Sequence, residues 1–265
     1  MERIKCRVRK SDKKNEGVLE MRKTVMALII PIIILIIWGI LTTYTGLIPS
    51  YLIPSPYAVL QAFENLITNG TLLTDTVSTL IRVFLGFMVA ALVAIPLGIL
   101  IGWFKIADDL SGFIIGILRP IPPIAWIPFA ILWFGVGLGS AIFIIFLGSV
   151  FPILINTIDG VKRTDKVYIE SAYTMGASQL QTLRKVVVPA ALPNIITGLK
   201  VGIGIGLMCT VAAEMIGSDN GLGYLIFTST SMLDTASAIV AMLVIGVIGL
   251  AFDYLFARTE RKINW

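Results

Sequence analysis

The sequence contains no histidine, two cysteines and few charged residues. Histidine is the common general acid–base residue and metal ligand near neutral pH, so its absence excludes His-based catalysis and His metal sites. Cys6 lies in a charged tail and Cys209 in an apolar run, which predicts no disulfide framework. The phosphate-binding pattern G-x-x-x-x-G-K-[ST] is missing, so ATP hydrolysis would require another chain. No catalytic residue, metal site or cofactor is predicted.

Charge is scarce because long segments of the chain have none. Charged residues make up 14% of the chain and hydrophobic residues 57%, with a mean hydropathy of +0.91. Four charge-free runs lie between Lys23 and Glu64, Arg82 and Lys105, Arg119 and Asp159, and Asp234 and Asp253. A helix needs about 20 apolar residues to cross a bilayer, and each run holds one or two such helices. The sequence predicts an all-α, polytopic membrane protein.

These runs account for five spans, since the glycine-rich turn Gly135–Ser140 divides the run between Arg119 and Asp159 in two. A sixth span, residues 192–216, is apolar apart from Lys200 and Glu214. The predicted spans are residues 25–44, 82–104, 112–135, 139–158, 192–216 and 236–257. Segment 45–81 is predicted to form a loop and a short amphipathic helix at the membrane face. The first span is interpreted as a retained anchor, because it is too long for a signal-peptide core.

Lysine and arginine indicate the orientation of these spans. They are concentrated in the tail 1–23, which has nine of them, in the loops 103–110 and 159–190, and at the carboxyl end. None occurs in 45–81, 135–140 or 217–235. Positive residues stay preferentially on the cytoplasmic side. The pattern therefore predicts a multi-pass protein of the plasma membrane with both termini in the cytoplasm.

One cytoplasmic loop contains a polar island, "ESAYTMGASQLQTLRKVVVPAALP" (Glu170–Pro193). A first helix is predicted over Asp165–Gly176, where glycine permits the chain to turn. A second begins at Ser178, which has Gln181 at capping-box spacing, and is predicted to end at Pro189. These signals predict a helix–turn–helix elbow. They do not by themselves distinguish a partner-binding element from a loop that happens to be helical.

The island resembles the EAA loop of binding-protein-dependent ABC importer permeases. The matching residues are Glu170, Ser171, Ala172, Gly176, Val186, Val188 and Pro189. Serine at 171 and valine at 186 and 188 depart mildly from the usual pattern. The resemblance implies a coupling helix that docks on an ATPase, with Glu170, Ser171, Ala172, Gly176 and Pro189 as its key positions. It also implies two ATPase subunits, an extracytoplasmic solute-binding protein and a permease homodimer.

Further motifs are similar to the subgroup that imports nitrate, sulfonates, taurine, bicarbonate or thiamine-precursor pyrimidines. They are "LIPSP" (Leu52–Pro56), "STLIRVFLGF" (Ser78–Phe87), "RPIPPIAWIPFAILWFGVG" (Arg119–Gly137) and "AAEMIGSDNGLGYLI" (Ala212–Ile226). The resemblance implies a type I permease domain over residues 60–260 with its coupling loop at 159–190. The basic tail 1–23 and the segment 24–59, with the first span and an outer loop, precede it. The implied solute is a small anion.

Charged residues inside spans are costly and therefore informative. As a helix, residues 120–134 would be ~22 Å long, which is shorter than the ~30 Å hydrocarbon core. Some of residues 110–118 must then also lie in the bilayer, so Arg119 should lie partway into it. The prolines of "PIPP", just after Arg119, break regular helix. Arg119, Pro122, Trp126 and Glu214 are the candidates for a substrate pathway. Arg119 could instead reach the cytoplasmic interface, and Lys200 is expected to do so. Trp126 could equally face lipid, and an ion pair with Arg82 is favoured for Glu214.

Small residues at every fourth position, Gly86 to Gly102 and Gly198 to Gly206, predict close helix packing within the subunit, with a dimer interface or a pathway wall as the alternative.

Two rival functions remain open from the sequence alone. A secondary transporter or channel without an ATPase would need ion-coupling carboxylates near mid-membrane, and 82–158 offers none. A membrane enzyme would need a nucleophile–base set or metal ligands, which the sequence lacks.

Overall fold

The structure is a computed structural model that describes residues 29–30, 32–42, 49 and 51–263, with side chains to residue 260. The chain divides into two units, residues 1–63 and 64–265. All regular secondary structure in the described residues is helical. The basic tail and both ends of the first predicted span lie outside them.

The first unit contains helix α1 (Ile32–Thr42) and the start of α2 (Pro56–Thr68). The Trp38 indole donates a hydrogen bond to the Pro54 carbonyl at 3.0 Å and so ties α1 to the following loop. Ser55 accepts a hydrogen bond from the Ala58 amide at 3.2 Å, so the Ser-Pro pair of "LIPSP" supplies an N-cap and a first helical residue. The short helix predicted within 45–81 is confirmed.

The second unit holds the remaining helices. They are α3 (Thr71–Trp103), α4 (Lys105–Leu118), α5 (Ile127–Phe134), α6 (Leu138–Lys162), α7 (Lys166–Thr174), α8 (Gln179–Thr182), α9 (Val188–Gly217), α10 (Leu222–Ser231) and α11 (Thr235–Ile263). Within the described residues, four helical stretches are long and apolar enough to cross a membrane: α3, α6, α11, and α8 with α9 as one 39-residue helix. Helix α4 and the segment Pro123–Phe134 form a fifth, bent by 81°.

Two predicted spans began too late. The second starts at Thr71 rather than 82, and the third starts at Lys105 rather than 112. The second was cut short at Arg82, where the charge-free run begins. That side chain is only 6% exposed and is paired inside the protein. A charge paired in this way can lie within a span, so it does not mark the end of the helix.

The predicted end of the second elbow helix at Pro189 was wrong. Helix α8 continues through a π-helical turn (Leu183–Val187) into α9, and Pro189 and Pro193 both lie within this continuous helix. Proline lacks the amide proton of a regular helical bond and crowds the preceding turn. The π turn immediately before Pro189 opens the backbone at that point. The elbow therefore connects to the fifth span through a continuous helix.

Helix α6 lies between α3 and α9, and glycines make both contacts. A β-carbon on Gly86, Gly98 or Gly102 would come within 2.6–2.7 Å of the α6 side chains of Ile145, Thr157 and Val161. Gly198, Gly202 and Gly206 meet Asn156, Ile153 and Ser149 of α6 in the same way. Ser149 also donates a hydrogen bond to the Gly202 carbonyl at 3.0 Å. The predicted packing within the subunit is confirmed.

This packing makes a testable prediction. Gly98→Val should destabilise the permease by about 1–3 kcal/mol, because the new β-carbon would lie 2.7 Å from Thr157 Cβ and 3.1 Å from the Leu154 carbonyl oxygen. Gly246→Val is the matched control, since no atom lies within 4 Å of a β-carbon there. Thermal unfolding followed by fluorescence-detected size exclusion compares the two. Equal melting temperatures would contradict the close approach of α3 and α6.

Candidate functional site

The break between α4 and α5 exposes an arginine beside the middle of α6. Helix α4 ends at Leu118 and Arg119 forms its C-cap, after which Pro122 adopts an extended conformation with ψ 131°. A 3₁₀ turn, Pro123–Trp126, then leads into α5. Prolines at 120, 122 and 123 cannot donate helical hydrogen bonds, which explains the break at this point. The predicted interruption of the helix is confirmed.

Arg119 lines a cleft of about 340 Å³ with residues of α6 and α9. The other lining residues are Ile121, Pro123, Leu147, Gly148, Phe151, Pro152, Ile155, Asn156, Val201 and Ile205. The α6 residues 147–156 lie around the middle of this 25-residue helix. The Arg119 guanidinium has no hydrogen-bond or ion-pair partner among the described residues, although the Arg119 amide donates to the Ile115 carbonyl. The cleft thus combines an exposed, unpaired cation with a mostly apolar wall beside the middle of a helix long enough to cross a membrane.

The other pathway candidates lie elsewhere. Pro122 is exposed but is not part of the cleft wall. Trp126 lines a smaller cavity of about 130 Å³ and packs against Phe129 and Trp133, with ring centroids 6.1 and 6.4 Å away. Glu214 lies in a separate polar network. The structure therefore brings only Arg119 of the four into the larger cleft.

The polar network joins α3 to the end of α9 and to the loop before α10. Arg82 Nη1 donates hydrogen bonds to Glu214 Oε1 and to the Asn220 carbonyl oxygen, both at 2.8 Å. Arg82 Nη2 also donates to the Asn220 side-chain oxygen. The Gly223 amide donates to Glu214 Oε2 at 2.9 Å. The predicted ion pair between Arg82 and Glu214 is confirmed, and it is buried on both sides.

Two further α3 side chains complete this network. Thr79 lies within 3.0 Å of both Glu214 carboxylate oxygens and accepts a hydrogen bond from the Leu222 amide at 2.9 Å. Asp75 accepts one from the Gly221 amide at 2.9 Å. Gly221 has φ +106°, and a β-carbon there would lie 2.5 Å from the Glu214 carboxyl. Only glycine fits this position, so the loop is held tightly against the ion pair.

Sequence reasoning identified Arg82 and Glu214 but missed Asp75, Thr79 and Asn220. A signal was present, because Asp75, Thr79 and Arg82 follow an i, i+4, i+7 spacing and so share one helical face. This shared face was not identified because residues 45–81 were predicted to form an outer segment rather than the start of a span. Asn156, the second polar residue of the cleft, was also missed.

The elbow forms as predicted at its turn. The Ala177 amide bonds to the Ala172 carbonyl at 3.0 Å and the Gly176 amide to the Tyr173 carbonyl at 2.9 Å, the pattern of a Schellman motif. Gly176 has φ +82°, the left-handed conformation that glycine adopts at low cost. Ser178 and Gln181 then form the predicted capping box of α8.

The elbow exposes several large apolar side chains among its polar ones. Met175, Leu180 and Tyr168 are 88%, 72% and 61% exposed. The side chain of Glu170 is exposed and has no partner in the described part of the chain, although its carbonyl accepts from Thr174. Clustered exposed apolar residues with a polar rim are typical of protein interaction sites.

Other ion pairs lie toward the ends of the spans that carry the basic residues. The sequence predicted that the Lys200 side chain would extend by itself to the cytoplasmic interface. In the structure its Nζ instead pairs with Asp253 Oδ1 of α11 at 3.0 Å. Lys162 pairs with Asp108 of α4 at 2.6 Å, and both are over a third exposed. Asp253 supplies a nearby acceptor, which is why the lysine need not reach water by itself.

A bundle of membrane-spanning helices with a broken span, a mid-depth cleft and a structured polar elbow defines a membrane transport protein. The chain belongs to the family of binding-protein-dependent transport system inner membrane components, which matches residues 94–265. Its relatives are permease subunits of ABC transporters, and this chain is likewise a permease subunit of an ABC importer in the plasma membrane. It is a transport component and not itself an enzyme.

Three relatives illustrate the similarity. The chain is 44% identical to a protein of Methanocaldococcus jannaschii named as a putative ABC transporter permease, over 91% of each chain. It is 32% identical to the taurine transport system permease protein TauC of Escherichia coli, over 88% of this chain and 86% of that protein. It is 35% identical to the nitrate import permease protein NrtB of Synechocystis, over 87% of this chain and 86% of that protein.

A solved structure shows the same fold. The chain superimposes on a chain of the MetNI methionine ABC transporter in an inward-facing conformation with a TM-score of 0.67. The match covers 75% of this chain and 98% of that chain at 20% identity. The fold is therefore the all-α type I ABC importer permease fold, as the sequence predicted.

Proposed function

We propose that this permease carries a small anion across the membrane and that Arg119 contacts the anion on its way. The observation that carries the proposal is the position of Arg119, unpaired in the described residues, in a cleft beside the middle of α6. An unpaired cation at this depth is costly unless it serves a solute or a water-filled passage. Relatives named for aliphatic sulfonates, nitrate and bicarbonate are named for anionic solutes, which supports this choice.

The family implies ATPase and solute-binding protein partners, and the finer arrangement is part of the proposal. Two copies of the permease form the pathway, two ATPase subunits bind their elbows, and both termini face the cytoplasm. The exposed apolar surface of the elbow supports the ATPase contact. In this arrangement residues 1–23 are a cytoplasmic tail, 24–59 hold the first span and an outer loop, and 60–260 form the permease domain with its coupling loop at 159–190.

Arg119→Gln tests the pathway role. Uptake by the complete transporter in proteoliposomes, with nitrate and a short alkanesulfonate as probes, should fall about tenfold or more, because a hydrogen bond to a charged group contributes roughly 1.5–3 kcal/mol. Assembly and ATPase activity without solute should remain near normal. Arg258→Gln, an exposed arginine of α11, is the control and should leave uptake unchanged. Normal uptake by an assembled Arg119→Gln transporter would remove the pathway role.

Single-cysteine labelling tests the orientation. In a background with Cys6→Ser and Cys209→Ala, Asp219→Cys and Lys162→Cys should react with a membrane-impermeant maleimide from opposite sides. Both residues are exposed, at opposite ends of the spanning helices. Asp219 should react in intact cells and Lys162 only after the cytoplasmic face is opened. Labelling of both from one side would contradict the proposed topology.

A further inference from the structure

The cleft beside Arg119 has one charge and one neutral polar side chain. Among the residues that the structure describes, Arg119 is the only charged residue that lines it, and Asn156 is its only other polar side chain. The Asn156 amide donates one hydrogen bond to the Pro152 carbonyl at 2.8 Å, which fixes the orientation of the group. Its remaining N–H and its side-chain oxygen have no partner among the described residues. The rest of the wall is aliphatic, aromatic, proline or glycine.

No carboxylate of the described part of the chain lines this cleft. Glu214 is fully buried and already bonded to Arg82, Thr79 and the Gly223 amide at the far end of α9. Asp253 is paired with Lys200. A solute of a few non-hydrogen atoms matches a cleft of about 340 Å³, and no anionic side chain among the described residues lines this cleft to pair with a cationic group on the solute. An unpaired charge in such surroundings is strongly disfavoured.

We propose that the cleft selects a small anion with an apolar body and rejects a zwitterion of the same size. Arg119 binds the anionic head, Asn156 donates a second hydrogen bond to it, and the body packs on Phe151, Ile155 and Val201. This inference rests on the proposed function and adds to it the chemical class of the solute. It assigns to Asn156 a role in specificity that the sequence motifs do not indicate.

A pair of matched probes tests the selectivity. Propane-1-sulfonate and taurine have the same chain length, and a methyl group in the first replaces the ammonium group of the second. Calorimetric titration of the full permease–ATPase complex, without the solute-binding protein, measures the permease alone. Propane-1-sulfonate should bind at least tenfold more tightly than taurine. Asn156→Leu should weaken its binding several-fold, whereas Met208→Leu, at an exposed α9 position outside the cleft, should not.

Ile155→Asp provides the complementary test. A carboxylate at this lining position would give an ammonium group a partner, so the preference should shift toward taurine by tenfold or more.

Three results with the unaltered complex would each overturn the inference: equal affinities for the two probes, tighter binding of taurine, or no saturable binding of propane-1-sulfonate. If the two probes bind equally but uptake still depends on Arg119, the selectivity fails and the proposed function stands. If uptake does not depend on Arg119, the proposed function itself fails.

Discussion

Gly176→Val should abolish ATP-driven uptake while leaving the permease inserted in the membrane. Gly176 has φ +82°, and a left-handed conformation costs an ordinary residue at least ~1 kcal/mol and a β-branched residue more. No atom lies within 4 Å of a β-carbon there, so the effect would come from backbone strain rather than from a clash. Loss of the Schellman turn would rotate α7 relative to α8 and displace the apolar surface that we propose binds the ATPase. Co-purification of the ATPase with the permease is the measurement.

Gly176→Asn is the matched control, because asparagine adopts the left-handed conformation more readily than other non-glycine residues. It should retain most of the ATPase binding and uptake. Glu170→Lys reverses an exposed charge on the same elbow without altering its turn and should also weaken ATPase binding. If Gly176→Val and Glu170→Lys both retain the ATPase and transport at the normal rate, the elbow is not the coupling element.

Glu214→Ala should be among the most destabilising substitutions in the second unit. It would leave the Arg82 guanidinium buried without its carboxylate, and removal of one partner from a buried ion pair costs about 3–5 kcal/mol. Thr79 and the Gly223 amide would lose their acceptor as well. The apparent melting temperature of the purified permease should fall by roughly 10 °C.

The exposed pair of Lys162 and Asp108 supplies the control for this prediction. Asp108→Asn removes an ion pair of similar length in which the Lys162 side chain is 43% exposed and the Asp108 side chain 36% exposed. Such pairs contribute about 0–1 kcal/mol, so the melting temperature should change little. A double variant, Arg82→Met with Glu214→Leu, should recover part of the loss, since neither member of the ion pair would remain as a buried charge without its partner. If Glu214→Ala melted like Asp108→Asn, the network would have no stabilising role.

Local patterns in the sequence determined the class of protein, the presence of several long apolar helices and the turn of the elbow. The capping box of Ser178 and Gln181 and the turn at Gly176 depend on residues only a few positions apart, so their chemistry can be read from neighbours in the chain. The packing of the small-residue faces was predictable for the same reason, because a four-residue repeat defines one side of a helix.

Tertiary structure decided where spans begin and what their charges do. Helix α3 extends to Thr71 because Asp75, Thr79 and Arg82 find partners more than 130 residues away in sequence, at Glu214 and in the 220–222 loop. The α8–α9 helix continues past Pro189 because a π turn accommodates the proline, a result that residue type alone does not indicate. The prolines after Arg119 predicted a break, but the 81° bend and the approach of α6 and α9 placed that arginine in a cleft. Polar partners distant in sequence satisfy Asp75, Arg82 and Glu214 within the helical bundle, and only the folded chain brings these groups together.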